Sequence, residues 1–69
     1  MKIKYFPDTD TALLEFTDRI VAETREISKD IYVDLDAKGN LVSMTIEHAR
    51  TSAQIKELSF QEIAATPAA

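Results

Sequence analysis

The sequence predicts an α+β domain: an antiparallel β-meander of four to five strands followed by a C-terminal helix. Three observations carry this. Residues 31–36 alternate apolar and polar side chains without interruption, and residues 41–47 place Val42, Met44 and Ile46 on one face. The chain's one glycine, Gly39, falls in the short polar segment between them. Beyond residue 50 the period of two gives way to hydroxyl residues followed by more widely spaced apolar ones.

The elements follow in order. Residues 2–5 alternate, with Ile3 and Tyr5 on one face, and residues 12–16 place Ala12, Leu14 and Phe16 together. Between them, Pro7, Asp8, Thr9 and Asp10 have the chemistry of a turn, because proline presets φ and aspartate bonds its own backbone. The two segments therefore form a hairpin. Residues 20–27 make a poorer strand, mixing Val21 and Ile27 with Glu23 and Arg25, and read as an edge strand or an irregular segment; charges along an edge would resist aggregation. In the next hairpin Ile31, Val33, Leu35, Val42, Met44 and Ile46 point inward, while Tyr32, Asp34 and Asp36 point to solvent. Gly39 supplies the left-handed residue that its loop requires.

Thr51 with Gln54, and Ser59 with Glu62, each match the spacing of a capping box. These predict a helix over about 51–64, either broken near Ser59 or bent as one piece. Its apolar residues include Ile55, Leu58, Phe60 and Ile63. Residues 1–65 constitute the single domain, with 66–69 a frayed tail.

Composition sets the limits on function. A chain of 69 residues buries only about 60% of the surface it exposes when unfolded. Such scaffolds need a staple. The absence of cysteine removes disulfides and thiolate metal sites, and one histidine precludes a multi-histidine metal site within the chain. The remaining staple is a second subunit, so a homodimer is expected. One short helix also cannot cover five strands, which names Ile55, Leu58, Phe60 and Ile63 as candidate dimer contacts.

The net charge of −4 lies wholly in the first half, where residues 1–36 hold nine acids against five bases. This disfavours direct binding of nucleic acid and suits a basic partner protein. No apolar run reaches membrane-span length and no signal region follows the basic N-terminus, which points to a cytoplasmic protein.

The chemistry-bearing residues are few. Asp34, Asp36 and Lys38 resemble the opening of a calcium loop, but a lysine would repel the ion and Thr45 stands where a bidentate glutamate belongs. His48 marks the end of the last strand, and neighbouring Glu47 points to the opposite face. No catalytic, cofactor-binding or metal residue is assigned. The candidates for an interaction or ligand site are Tyr5, Asp10, Tyr32 and Asp34. Tyrosine on a polar strand face is a common partner contact, and paired carboxylates can exchange protons when one is desolvated.

Tyr5, Asp8, Asp10 and the aliphatic run through Leu14, then residues 31–36, Gly39, and residues 41–49 together resemble the bacterial and archaeal DUF2283 family. Phe6, Thr45 and His48 replace acids usual in that pattern, and a glycine common before Ile31 is missing. The resemblance implies a small domain with no established activity, sometimes encoded beside toxin-like proteins. The combined reading is a non-enzymatic, homodimeric interaction module, antitoxin-like in form. The alternative is a ligand binder or enzyme whose site forms between subunits from Asp10, Asp34 and Tyr32.

Overall fold

The computed structural model describes residues 1–65; the tail expected at 66–69 lies outside them. The alternating segments form five strands: β1 (Lys2–Phe6), β2 (Thr11–Glu15), β3 (Glu23–Ser28), β4 (Ile31–Leu35) and β5 (Leu41–Glu47). They build one antiparallel sheet in the order β1-β2-β5-β4-β3. A short helix, α1 (Ala49–Ser52), follows β5. The α+β class, the antiparallel sheet and the helix after it are as the sequence predicts.

The order is a β3-β4-β5 meander with the β1-β2 hairpin docked on β5. Where the chain leaves β2, the amides of Phe16 and Thr17 both donate to the Val42 carbonyl. It then runs to the far edge, where the Ala22 amide donates to the Leu35 carbonyl. β5 becomes the central strand and holds two of the buried residues, Val42 and Ser43. β3, exposed throughout, is a charged edge strand, the first of the two forms that the sequence allows. It begins at Glu23, so Ile20 and Val21 lie outside it, and an irregularity between Glu26 and Ser28 leaves Ile27 exposed.

Register separates the faces. Ile3, Leu14, Met44 and Val33 align across four strands, and Tyr5, Ala12, Ile46 and Ile31 align beside them. The other face carries Lys4, Leu13, Thr45, Tyr32 and Glu26 in one row. The β4-β5 loop closes as expected: Gly39 has φ +83° and its amide donates to the Asp36 carbonyl. The Asp36 carboxylate accepts the Lys38 and Asn40 amides, so this aspartate serves the hairpin. A Cβ at Gly39 would meet nothing within 4 Å, so only the backbone dihedral demands glycine there.

The helix corrects the sequence reading. It covers Ala49–Ser52 rather than 51–64, and residues 57–65 carry no regular structure. Neither capping box operates: Thr51 lies inside α1, Gln54 beyond it, and the N-cap position is His48, without a side-chain cap. Leu58, Phe60 and Ile63 are exposed, and Ile55 is half-buried. The physical reason is length. A short isolated helix is marginal unless packing rewards it, and three of its four apolar residues meet no covering layer within the chain.

Consequently the apolar face is open. Among the described residues the buried hydrophobic ones are Ala12, Val42 and Ala49, and no large side chain is fully buried. Ile3, Leu14, Met44, Ile46, Ile31 and Val33 are half-buried. The accessible surface of the whole chain, 5767 Å², exceeds by about 1,400 Å² that of a compact monomer of 7.7 kDa, and the exposed residues 57–65 contribute to the excess. No helix among the described residues is long and apolar enough to cross a membrane.

Candidate functional site

One end of the sheet gathers the polar side chains. There the β1-β2 turn, the β3-β4 turn, the end of β5 and α1 converge. Two aspartates, one from each turn, hold the segment that leads into α1. The Asp10 carbonyl accepts the Ala49 amide at 2.9 Å, and its carboxylate accepts the Arg50 amide at 3.1 Å. The Asp30 carbonyl accepts the Glu47 amide at 2.7 Å. Asp10 and His48 both have left-handed backbone, φ 53° and 52°, a conformation in which aspartate and histidine are enriched among non-glycine residues. The kink at His48 turns the chain from β5 into the helix, and the Asp10 carbonyl seats Ala49, which is fully buried.

Around Asp10 the contacts form a closed set. The Tyr5 hydroxyl donates to Asp10 Oδ1 at 2.6 Å, and the Arg50 guanidinium lies 5.9 Å from the Tyr5 ring centre. The bond from Tyr5 is the main cause holding the Asp10 carboxyl below its usual range, and the same bond raises the Tyr5 phenol.

Around Asp30 the set is more open. His48 Nδ1 is 3.0 Å from Asp30 Oδ1, and the Ser52 hydroxyl is 3.2 Å from Asp30 Oδ2 and 3.1 Å from the Glu47 carbonyl. The contact with His48 is the main cause of the lowered Asp30 carboxyl. Although Asp, His and Ser meet here, the single Ser52 proton is shared between Asp30 and a carbonyl rather than directed at the imidazole. The arrangement therefore orients Asp30 instead of activating a nucleophile. The side chains of Asp30, Glu47 and His48 can bring one ligand atom each within 4.8 Å of the others, which makes this trio able to hold a metal ion.

The candidate residues divide between faces. Tyr5 and Asp10 are joined directly. Asp34 accepts the hydroxyls of Thr24 and Ser43, each at 2.6 Å, on the polar face. Tyr32 shares that face, and the charges of Glu47 and Glu26, with Asp30 behind them, raise its phenol. Within one chain Asp10 and Asp34 stay apart, because Thr11 pairs with Glu47 and Asp34 with Ser43, about 13 Å along β5. His48 does mark the strand end, as the sequence predicts. Its partner is Asp30, 18 residues away, and because the left-handed backbone of His48 breaks the strand alternation, Glu47 and His48 do not part to opposite faces but converge on Asp30.

These carboxylates make stability depend on acid. Asp10, Asp30, Asp36 and Glu23 all have lowered values in the fold, the last through its pair with Arg25. Their contribution is fully present above the unfolded carboxylate range of about 4 and is lost as pH falls through the lower folded values. Melting temperature measured between about pH 6 and pH 2 should therefore fall on the acid side. A flat profile would refute the assignment.

A family model described as a protein of unknown function, DUF2283, matches residues 2–50, from the start of β1 into α1. Neither a curated protein nor a solved structure matches the chain.

Proposed function

The chain belongs to the DUF2283 family, and from that premise we propose that it works as a non-enzymatic interaction module whose open apolar face is closed by a second copy of itself. The observation that carries this reading is the uncovered row of Ile3, Leu14, Met44 and Val33 on a sheet with no fully buried large side chain. The exposed Leu58, Phe60 and Ile63, with Ile55, extend the apolar surface that a partner copy would bury. The compartment that fits this role is the cytoplasm.

The acidic group of Glu26, Asp30 and Glu47 around Tyr32 favours a second interaction, with a basic partner protein, which is the form an antitoxin-like role would take. A site shared between subunits, with Asp10 of one copy meeting Tyr32 and Asp34 of the other, is less favoured. Asp10 and Asp34 already accept hydrogen bonds from Tyr5, Thr24 and Ser43 within the chain.

Native mass by light scattering tests the main reading. A mass of two chains at micromolar concentration is expected, and a single-chain mass at tens of micromolar would overturn it.

A further inference from the structure

We propose that Asp30, Glu47 and His48 form a binding site for a divalent transition-metal ion of the zinc type. This goes beyond the dimer reading and does not depend on it. The three residues come from two places in the sequence, the β3-β4 turn and the end of β5, and the sheet joins them through the Glu47 amide and the Asp30 carbonyl at 2.7 Å. The donor set is two carboxylates and one imidazole. Imidazole ligands suit zinc and its neighbours rather than magnesium or calcium, which take oxygen.

The geometry is close to what such an ion needs. Ligands about 2.0–2.1 Å from tetrahedral zinc stand about 3.3 Å apart. His48 Nδ1 and Asp30 Oδ1 are already 3.0 Å apart, and the full trio lies within 4.8 Å. Closing the trio from within 4.8 Å to about 3.3 Å would complete three protein ligands, leaving a fourth position for water. Asp30 is also held from behind, because its other oxygen takes the Ser52 hydroxyl at 3.2 Å, the kind of outer contact that orients a metal-binding carboxylate. The left-handed backbone of His48 at the entry to α1 sets the direction from which its largely exposed ring reaches Asp30. Glu26, opposite Tyr32 on the neighbouring edge strand, adds negative charge, and Lys29 beside Asp30 offsets part of it.

His48 is the only histidine in the chain, so its ring protons give NMR signals that need no assignment. Titrating the full chain with zinc chloride should shift those signals and saturate at one ion per chain, with binding heat by calorimetry. Asp30→Asn and Glu47→Gln should each weaken binding about tenfold or more, whereas Asp34→Asn, on the same sheet but bound to Thr24 and Ser43, should leave it unchanged. His48→Ala should abolish the binding heat. Imidazole signals unmoved at millimolar zinc would overturn the proposal. So would full affinity in both carboxylate variants, since a lone histidine would then account for the shift. Folding of each variant is checked by its far-ultraviolet circular dichroism, and the two carboxylate variants provide independent readings should one fail to fold.

Discussion

Met44→Glu is expected to convert the proposed dimer to a single chain while leaving the sheet intact. Met44 sits on the central strand β5, between Leu14 of β2 and Val33 of β4. It is half-buried in one chain, so a carboxylate there keeps water in the monomer. Under a second copy the same carboxylate would lose its water between the apolar neighbours Leu14 and Val33, because Arg25, the cation of the row, lies two strands away and is paired with Glu23, and burying an unpaired charge costs several kcal/mol. The dimer dissociation constant should rise at least about a hundredfold. Thr45→Glu is the matched control. One residue along, it points to the polar face beside Tyr32 and should leave the mass unchanged. Sedimentation of the two variants decides the matter. Dissociation in neither would mean that the apolar face is not the interface, and dissociation in both would mean that the faces are not distinguished in assembly.

Ala49→Leu should cost about 1–3 kcal/mol, the usual penalty for forcing extra methylenes into a filled site. Ala49 has no exposed surface, and its amide is tied to the Asp10 carbonyl at 2.9 Å. A leucine side chain there must push α1 away from the sheet. That movement would also strain the Arg50 amide bond to Asp10 and the Ser52 bond to Asp30. Urea denaturation measures the loss, which for a domain near this size lowers the melting temperature by roughly 4–8 °C per kcal/mol. Ala53→Leu, just past the helix and only half-buried, should have a much smaller effect. Equal stability of Ala49→Leu and the unchanged protein would show that α1 is not packed where its burial places it.

The helix is where sequence reasoning failed, and the reason is instructive. Thr51 with Gln54 and Ser59 with Glu62 have the spacing of capping boxes, but a cap adds little unless a packed face follows it. In the chain alone, Leu58, Phe60 and Ile63 remain exposed. The helix that does form begins two residues earlier, set by backbone tethers to Asp10 and Asp30 rather than by its own side chains. For the site, Tyr5 and Asp10 were both singled out, five residues apart across a turn, and they do bond to each other. Asp30 was passed over, because nothing local distinguishes it from the other acids of the first half.

For β3 the sequence indicated only a charged segment over 20–27, but by itself it determined the strands of both hairpins, which face of each is apolar, and where the second hairpin turns. Each of these follows from period-two alternation or from one residue's backbone freedom, and both are local properties. Only the tertiary structure decided that β2 lies against β5, which places the β1-β2 turn and the β3-β4 turn at one end of the sheet. That order brings Asp10 and Asp30 to the segment 47–52 and so creates the short helix, the Tyr5–Asp10–Arg50 set and the Asp30–Glu47–His48 cluster. Strand order depends on which edges and faces pair across long separations in the chain, and alternation reads the same whichever neighbour a strand takes.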